Sequence, residues 1–254
     1  MILDDFRLDG RVALVTGASR GLGQAMALAL AEAGADIAAL NVGNAAQTGR
    51  TVTALGRRFM SVQCNLRNTS VAELRQVIER VVTELGRLDI LVNNAGIIRR
   101  APAIEFSEAD WDDVLQINLK AAFFLSQTAA KVMVKQGGGK IINIASILSF
   151  QGGIVVPSYA AAKSGVAGIT RALANEWAKH NINVNAIAPG YMATDNTAAL
   201  RADPTRSTSI LDRIPAGRWG TPGDLRGIVV FLASSASDYM HGAVVPVDGG
   251  WLTR

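Results

Sequence analysis

Tyr159 and Lys163 stand four residues apart in the run SYAAAKSG, and Ser146 closes the run KIINIAS thirteen residues upstream. Four residues along a helix bring two side chains to one face. A free phenol titrates near pH ~10, and a neighbouring ammonium favours its ionised form, so such a pair can exchange protons nearer neutrality. A serine hydroxyl at the end of the preceding strand can hydrogen-bond the same substrate oxygen. It is not read as a nucleophile, because neither His180 nor His241 lies in a triad-like context.

These residues need a scaffold, and the rest of the chain alternates short apolar runs with helical patterns. RVALVTG, DIAALNV, RFMSVQC, DILVNNAG, KIINIAS, INVNAIAPG and AVVPVDGG read as strands. Between them, GLGQAMALALAEAGA and VAELRQVIERVVTELG read as helices closed by Gly34 and Gly86. Further helices are expected from about Asp110 to Gln136, from Pro157 through Ala178 and from Pro222 to Ala233. Apolar strands alternating with helices predict an α/β fold, a doubly wound parallel sheet with helices on both faces. Ligands of such sheets bind outside the carboxyl ends of the strands. Thr16-Gly17, Asn93 to Gly96, Ser146 and Pro189-Gly190 all follow strands, so they are expected to converge on one crevice.

The run TGASRGLG follows the first strand and opens a helix. Gly17, Gly21 and Gly23 let the backbone turn tightly and approach a pyrophosphate, with the helix N-terminus supplying N–H donors. The spacing differs from the common Gly-x-Gly-x-x-Gly. Asn41 stands at the end of the second strand, where many dinucleotide folds carry a carboxylate for the ribose 2′-hydroxyl. An asparagine accepts a hydrogen bond without repelling a 2′-phosphate, and Arg20 can pair with one, so NAD and NADP both remain open.

The 254 residues are 49% hydrophobic and 18% charged, enough for a large core, with no linker or repeat that divides them. One domain over 1–254 is expected. The formal charge of +4 and pI near 9.5 fit a mildly basic surface that steers anionic ligands. No dense Lys/Arg block favours nucleic acid. Cys64 is alone and the two histidines are scattered, so neither a disulfide nor a metal site is expected. No apolar run reaches membrane-spanning length, and the N-terminus lacks a signal-like apolar stretch; a cytoplasmic protein without membrane partners follows.

The ordered set TGxxxGxG, NNAG, Ser, YxxxK and a later Pro-Gly resembles the short-chain dehydrogenase/reductase family over essentially the whole chain. The resemblance implies a single Rossmann-type domain with seven parallel strands, in a homotetramer. It implies a catalytic tetrad of Asn118, Ser146, Tyr159 and Lys163, with Asn118 at a helix irregularity that holds a water linked to Lys163. It implies dinucleotide contacts from Gly17, Ser19, Arg20, Gly21, Leu22, Gly23, Asn41, Asn65, Leu66, Asn94, Ala95, Gly96, Tyr159, Lys163, Pro189, Gly190, Met192 and Thr194. Asn65 stands where relatives usually hold an aspartate, and its amide oxygen still accepts from an adenine amino group.

Within the family, NNAGIIRR, IASILSFQGG, NEWAKHNINVNAIAPGYMATDNT, LRAD and RIPAGRWG resemble members that interconvert keto and hydroxy groups on a deoxy sugar acid. Those members favour NAD(H), with NADP(H) possible. Reductases of gluconate-type ketones or acyl-carrier thioesters are the alternatives, and a non-catalytic dinucleotide-binding regulator is a more distant one. A sugar-acid carboxylate calls for an arginine fork. Arg99 or Arg100 is preferred on position, with Gln151 as a further pocket residue beside Ser146 and Tyr159. Arg206, Arg213 and Arg218 flank an expected substrate lid around 194–214.

Overall fold

In a computed structural model of residues 1–254 the strands form one seven-stranded sheet, ordered β3-β2-β1-β4-β5-β6-β7 with every pairing parallel. They are β1 (Val12–Thr16), β2 (Asp36–Asn41), β3 (Phe59–Gln63), β4 (Ile90–Asn93), β5 (Gly139–Ile144), β6 (Ile182–Pro189) and β7 (Val244–Val247). The strand order reverses between β1 and β4, which places a crevice above their carboxyl ends.

Alternation along each strand divides the core in two. Ala13, Val15, Ile37, Ala39, Val92 and Ile142 face α1 (Gly21–Glu32) and the later helix α9 (Arg226–Ala233). Val12, Leu14, Ala38, Leu40, Leu91 and Ile141 face the opposite layer. That layer includes α3 (Val71–Leu85) and α5 (Ala121–Gln136), with the C-terminal part of α6 (Pro157–Trp177) supplying Leu173 and Ala174. The inner strands are buried on both faces and so read as continuous apolar runs, while the edge strand β3 alternates buried and exposed residues. Ser70 and Glu73 form a capping box that starts α3, and Gly86, with φ +89°, ends it.

Three stretches differ from the sequence expectation. Ala46–Ala54 forms α2, which no strong apolar periodicity announces. The helix expected from about Asp110 begins at Glu108 as α4 (Glu108–Leu115), then widens into a π turn over Gln116–Lys120 before continuing as α5. The expected lid segment is helical in part, as α7 (Ala198–Ala202) and α8 (Pro204–Leu211), with Ile210 buried beside Ile147, Ile214 and Trp251.

A polar ladder crosses this apolar interior. Asn93 and Asn143 are partners in the β4–β5 register, and Asn93 Nδ2 donates to Asn143 Oδ1 at 2.9 Å and to Ser126 Oγ at 2.9 Å. Asn143 Nδ2 in turn donates to Thr170 Oγ1 on α6 at 2.9 Å. The ladder ties the central strands to both α5 and α6, and α6 carries Tyr159 and Lys163. Asn143→Ala removes two of these bonds and opens a small cavity. We expect a loss of about 2–4 kcal/mol in urea unfolding at unchanged m-value; a loss below about 0.5 kcal/mol would show the ladder to be dispensable.

Candidate active site

Above the crevice lies a cleft of about 580 Å³. Its floor is the turn from β1 into α1. Gly17 adopts φ +68°, and a Cβ on Gly23 would sit 2.2 Å from the Gly17 carbonyl oxygen, so helix and turn meet more closely than any side chain allows. From β4, Asn94 N donates to Thr16 Oγ1 at 2.9 Å and Asn94 Nδ2 to the Thr16 carbonyl at 2.9 Å. Ala95 N also donates to Thr16 Oγ1, at 2.8 Å. The unforeseen α2 contributes Thr48, whose hydroxyl donates to the Ala18 carbonyl at 2.8 Å and steadies the glycine turn. Helix α2 carries no apolar stripe long enough to mark it as an element, which hid this support.

All eighteen residues expected to contact a dinucleotide line this one cleft, from Gly17 through Asn41 and Asn65 to Thr194. Asn41 is buried, and neither its amide nitrogen nor its amide oxygen has a partner within the protein. A buried amide without partners is costly unless a ligand completes it. Together with the glycine turn, which leaves room for a phosphate at a helix N-terminus, Asn41 makes the cleft fit a dinucleotide. Asn65 is exposed and its oxygen accepts from Arg67 N at 3.1 Å, leaving a second lone pair free.

Tyr159, Ser146 and Lys163 line the same cleft. Ser146 Oγ accepts from Leu148 N at 3.1 Å, capping the short turn Ile147–Ser149. Its own proton stays available for a second acceptor. Lys163 is buried; Nζ donates to the carbonyl of Ile144, the last residue of β5, at 2.6 Å, and no carboxylate pairs with it. The ammonium lies 5.6 Å from the centre of the Tyr159 ring. Ser149 Oγ donates to the Lys163 carbonyl at 2.6 Å, so the serine turn and α6 hold one another.

The electrostatics refine the sequence reading. Burial lowers Lys163 to about 8. Burial also pushes the Tyr159 phenol above its ordinary value, outweighing Ser146 and the positive charge of Arg100, which both pull it down. The protein around Tyr159 therefore holds the phenol as an acid, where the spacing of Tyr159 and Lys163 alone had predicted a readier phenolate.

Asn118 lies beneath the cleft rather than on its wall. It sits in the π turn, and its amide accepts from Ile97 N at 2.8 Å and donates to the Ile97 carbonyl at 2.9 Å. Both ends of the side chain are thus committed to the NNAG loop, so a water toward Lys163 would be held by backbone of the irregular turn, not by this amide.

The expected substrate residues separate. Arg99 Nε pairs with Asp110 at 2.9 Å and Nη2 lies 3.6 Å from Asp113. Arg100 Nη2 donates to the carbonyl of Asn196, a cleft residue, at 3.1 Å. Arg218 forks onto Asp224, with both contacts at 2.8 Å, and the Arg213 guanidinium stacks 3.9 Å from the Trp251 ring. Arg206 is exposed on α8, and Gln151 lies in a bend off the cleft wall. Sequence reasoning passed over Asp195, Asn196 and Thr197, which also line the cleft. Asp195 accepts from Arg20 Nη1 at 2.8 Å, a bridge from the glycine turn to the turn that follows Thr194. No helix is long and apolar enough to cross a membrane.

Comparison with known proteins agrees with this geometry. The profile of the family described as short chain dehydrogenase matches residues 11–205. The 2-dehydro-3-deoxy-D-gluconate 5-dehydrogenase of Escherichia coli (strain K12) is 64% identical over 255 residues, covering 100% of both chains. The protein of that name from Bacillus subtilis (strain 168) is 51% identical, over 99% of this chain and 98% of its own. Among solved structures, a gluconate 5-dehydrogenase from Burkholderia cenocepacia J2315, in complex with NADP and tartrate, superposes with a TM-score of 0.96 at 40% identity, covering 100% of both chains. With the family profile matched across the glycine turn, the serine strand and the Tyr159–Lys163 helix, the chain is an enzyme of the short-chain dehydrogenase family.

Proposed function

We propose that this enzyme interconverts a keto and a hydroxy group on a deoxy sugar acid of the 2-dehydro-3-deoxy-D-gluconate type, using a nicotinamide dinucleotide. The observation that carries the reading is the placing of Tyr159 and Ser146 on the same cleft wall system as the glycine turn and the unpartnered Asn41. The names of relatives 64% and 51% identical support the sugar-acid class. A homotetramer in the cytoplasm is the family expectation.

The turn from Gly17 to Gly23, with Ser19, Arg20 and Leu22, would receive the pyrophosphate; Asn41, Asn65 and Leu66 the adenosine; Asn94, Ala95 and Gly96 the middle of the dinucleotide. Pro189, Gly190, Met192 and Thr194 would cover the nicotinamide. When bound, the dinucleotide supplies the hydride chemistry. Ser146 donates to the substrate oxygen and stabilises its charge as the carbonyl becomes an alkoxide. Tyr159 gives that oxygen its proton in reduction and takes it back in oxidation. Lys163, anchored on Ile144, sets the charge beside the phenol and offers N–H donors toward the cleft. Asn118 positions the Ile97 backbone that borders the pocket.

The NAD preference expected from the sequence gains no support. Strand β2 ends in an uncharged amide, and the solved Burkholderia relative holds NADP. Either dinucleotide suits the cleft. Arg20 is the group that would meet a 2′-phosphate, and its bridge to Asp195 is exposed on both sides, at 79% and 74%.

Three outcomes test this reading. Following absorbance, NADH and NADPH are offered with keto-deoxy sugar acids, neutral keto sugars and an acetoacetyl thioester; turnover confined to the thioester would overturn the substrate class. In the same assay, Tyr159→Phe should cut turnover by about a hundredfold or more. Oxidation needs the unprotonated phenol and rises with pH; reduction needs the protonated phenol and falls with pH. Both limbs should vanish in the variant.

Lys163→Met should stabilise the ligand-free enzyme while abolishing activity. Below about 8 the ammonium is charged in folded and unfolded chains alike, so its burial cost is fully present at pH 7. Between about 8 and 10.5 the folded chain loses the proton first and the cost fades, so wild-type stability rises with pH through that window. The gain at pH 7 is bounded by about 3 kcal/mol and should shrink toward zero by pH 10.5, read from denaturant midpoints. A constant difference across pH would contradict the buried-charge account. Finally, Asp195→Asn releases Arg20. Exposed pairs contribute about 0.2–1 kcal/mol, so NADP⁺ affinity relative to NAD⁺ should improve by up to about fivefold in calorimetric titration; an unchanged ratio would detach Arg20 from cofactor choice.

A further inference from the structure

We propose that Arg100, and not Arg99, binds the substrate carboxylate, and that through Asn196 it joins carboxylate binding to the start of the lid. This rests on the sugar-acid reading above. The two arginines are adjacent in the sequence and follow the same strand, yet their surroundings differ in kind. Arg99 already has two carboxylates, Asp110 and Asp113, within 2.9 Å and 3.6 Å. A substrate carboxylate would compete with both and would feel their repulsion. Arg100 pairs with no acidic side chain; its one hydrogen bond goes from Nη2 to the Asn196 carbonyl. A guanidinium has five N–H donors, so the remaining edge can take a bidentate carboxylate without giving up the lid contact.

Position supports the choice. Asn196 and Ile97 line the cleft, and Arg100, three residues after Ile97 and itself outside the lining, is tied to Asn196 at 3.1 Å. Its charge is felt at Tyr159, whose hydroxyl it helps to keep ionisable. The Lys163 ammonium also lies 5.6 Å from the centre of that ring. A substrate held by its carboxylate on Arg100 would have its carbonyl end directed toward Tyr159 and Ser146. Among the other arginines of this segment, Arg213 stacks on Trp251 and Arg218 is forked by Asp224, while Arg206 is exposed on α8 and Arg201 donates to the Thr194 carbonyl at 3.1 Å.

The test compares Arg100→Ala, Arg100→Lys and Arg99→Ala with wild type. For Arg100→Ala, KM for a keto-deoxy sugar acid should rise about tenfold or more, against a change below about threefold for a neutral keto sugar. Arg100→Lys keeps the charge but loses the fork and should fall between. Arg99→Ala should affect both substrates alike. Independently of turnover, tartrate binding to the dinucleotide-loaded enzyme, measured by calorimetry, should weaken by a similar factor in Arg100→Ala and not in Arg99→Ala. The pH limb assigned to Tyr159 should move up in Arg100→Ala, a response that a purely structural arginine would not give. Equal KM effects on charged and neutral substrates, with tartrate binding unchanged, would overturn the Arg100 assignment and leave the sugar-acid reading standing. Wild-type enzyme inactive on every carboxylated ketone would overturn both.

Discussion

The hydroxyl of Thr16 is the point on which the site turns. It is buried at the end of β1 and accepts two backbone N–H bonds from Asn94 and Ala95 at the end of β4. Those are the two strands between which the sheet reverses its order. Asn94 returns the bond through its amide, and the same amide lies where a Cβ on Gly23 would intrude. One cluster of short polar side chains thus sets the distance between the two lips of the crevice and the height of α1 above it. The glycine turn is built on one lip. The loop of Gly96 and Ile97, held by Asn118, hangs from the other.

Much of this was legible in the sequence. The inner strands and the convergence of their polar ends follow from apolar runs broken by Thr-Gly, Asn-Asn and Pro-Gly, because burial on both faces leaves little room for anything else. The cleft residues of the dinucleotide end were legible for the same reason: only tight turns and strand ends reach that surface. What was not legible depends on long-range pairing. Helix α2 has threonines where an apolar stripe would be, and its value lies in Thr48 reaching Ala18 across 30 positions. The Asn93–Asn143–Thr170 ladder joins residues that look like interruptions in hydrophobic strands until the register aligns them. Adjacent arginines such as Arg99 and Arg100 are equivalent in a string of letters and become different only when Asp110 and Asp113 fold against one of them.

The cations in and beside the cleft differ from several in the scaffold: Lys163, Arg100 and Arg20 are held by neutral oxygens or by an exposed partner, while Arg58, Arg87 and Arg218 are locked by carboxylates. Lys163 rests on a carbonyl and Arg100 on another. Arg58, Arg87 and Arg218 are bound by Asp36, Asp89 and Asp224. A cation left without a counter-ion beside a cleft is a standing attraction for anions, and the protein bears the cost of burying one of them in Lys163.

The π turn at Gln116–Lys120 has a consequence for how this site can vary. A π turn is one residue longer than the α-helical turn it replaces. Removing a residue there would close the wide turn to a regular α-helical one, with the helix on either side kept in register. Asn118 would lose the irregular backbone from which its amide reaches Ile97. The positioning of the loop after Gly96 is therefore encoded in the number of residues in a helix as much as in their identity.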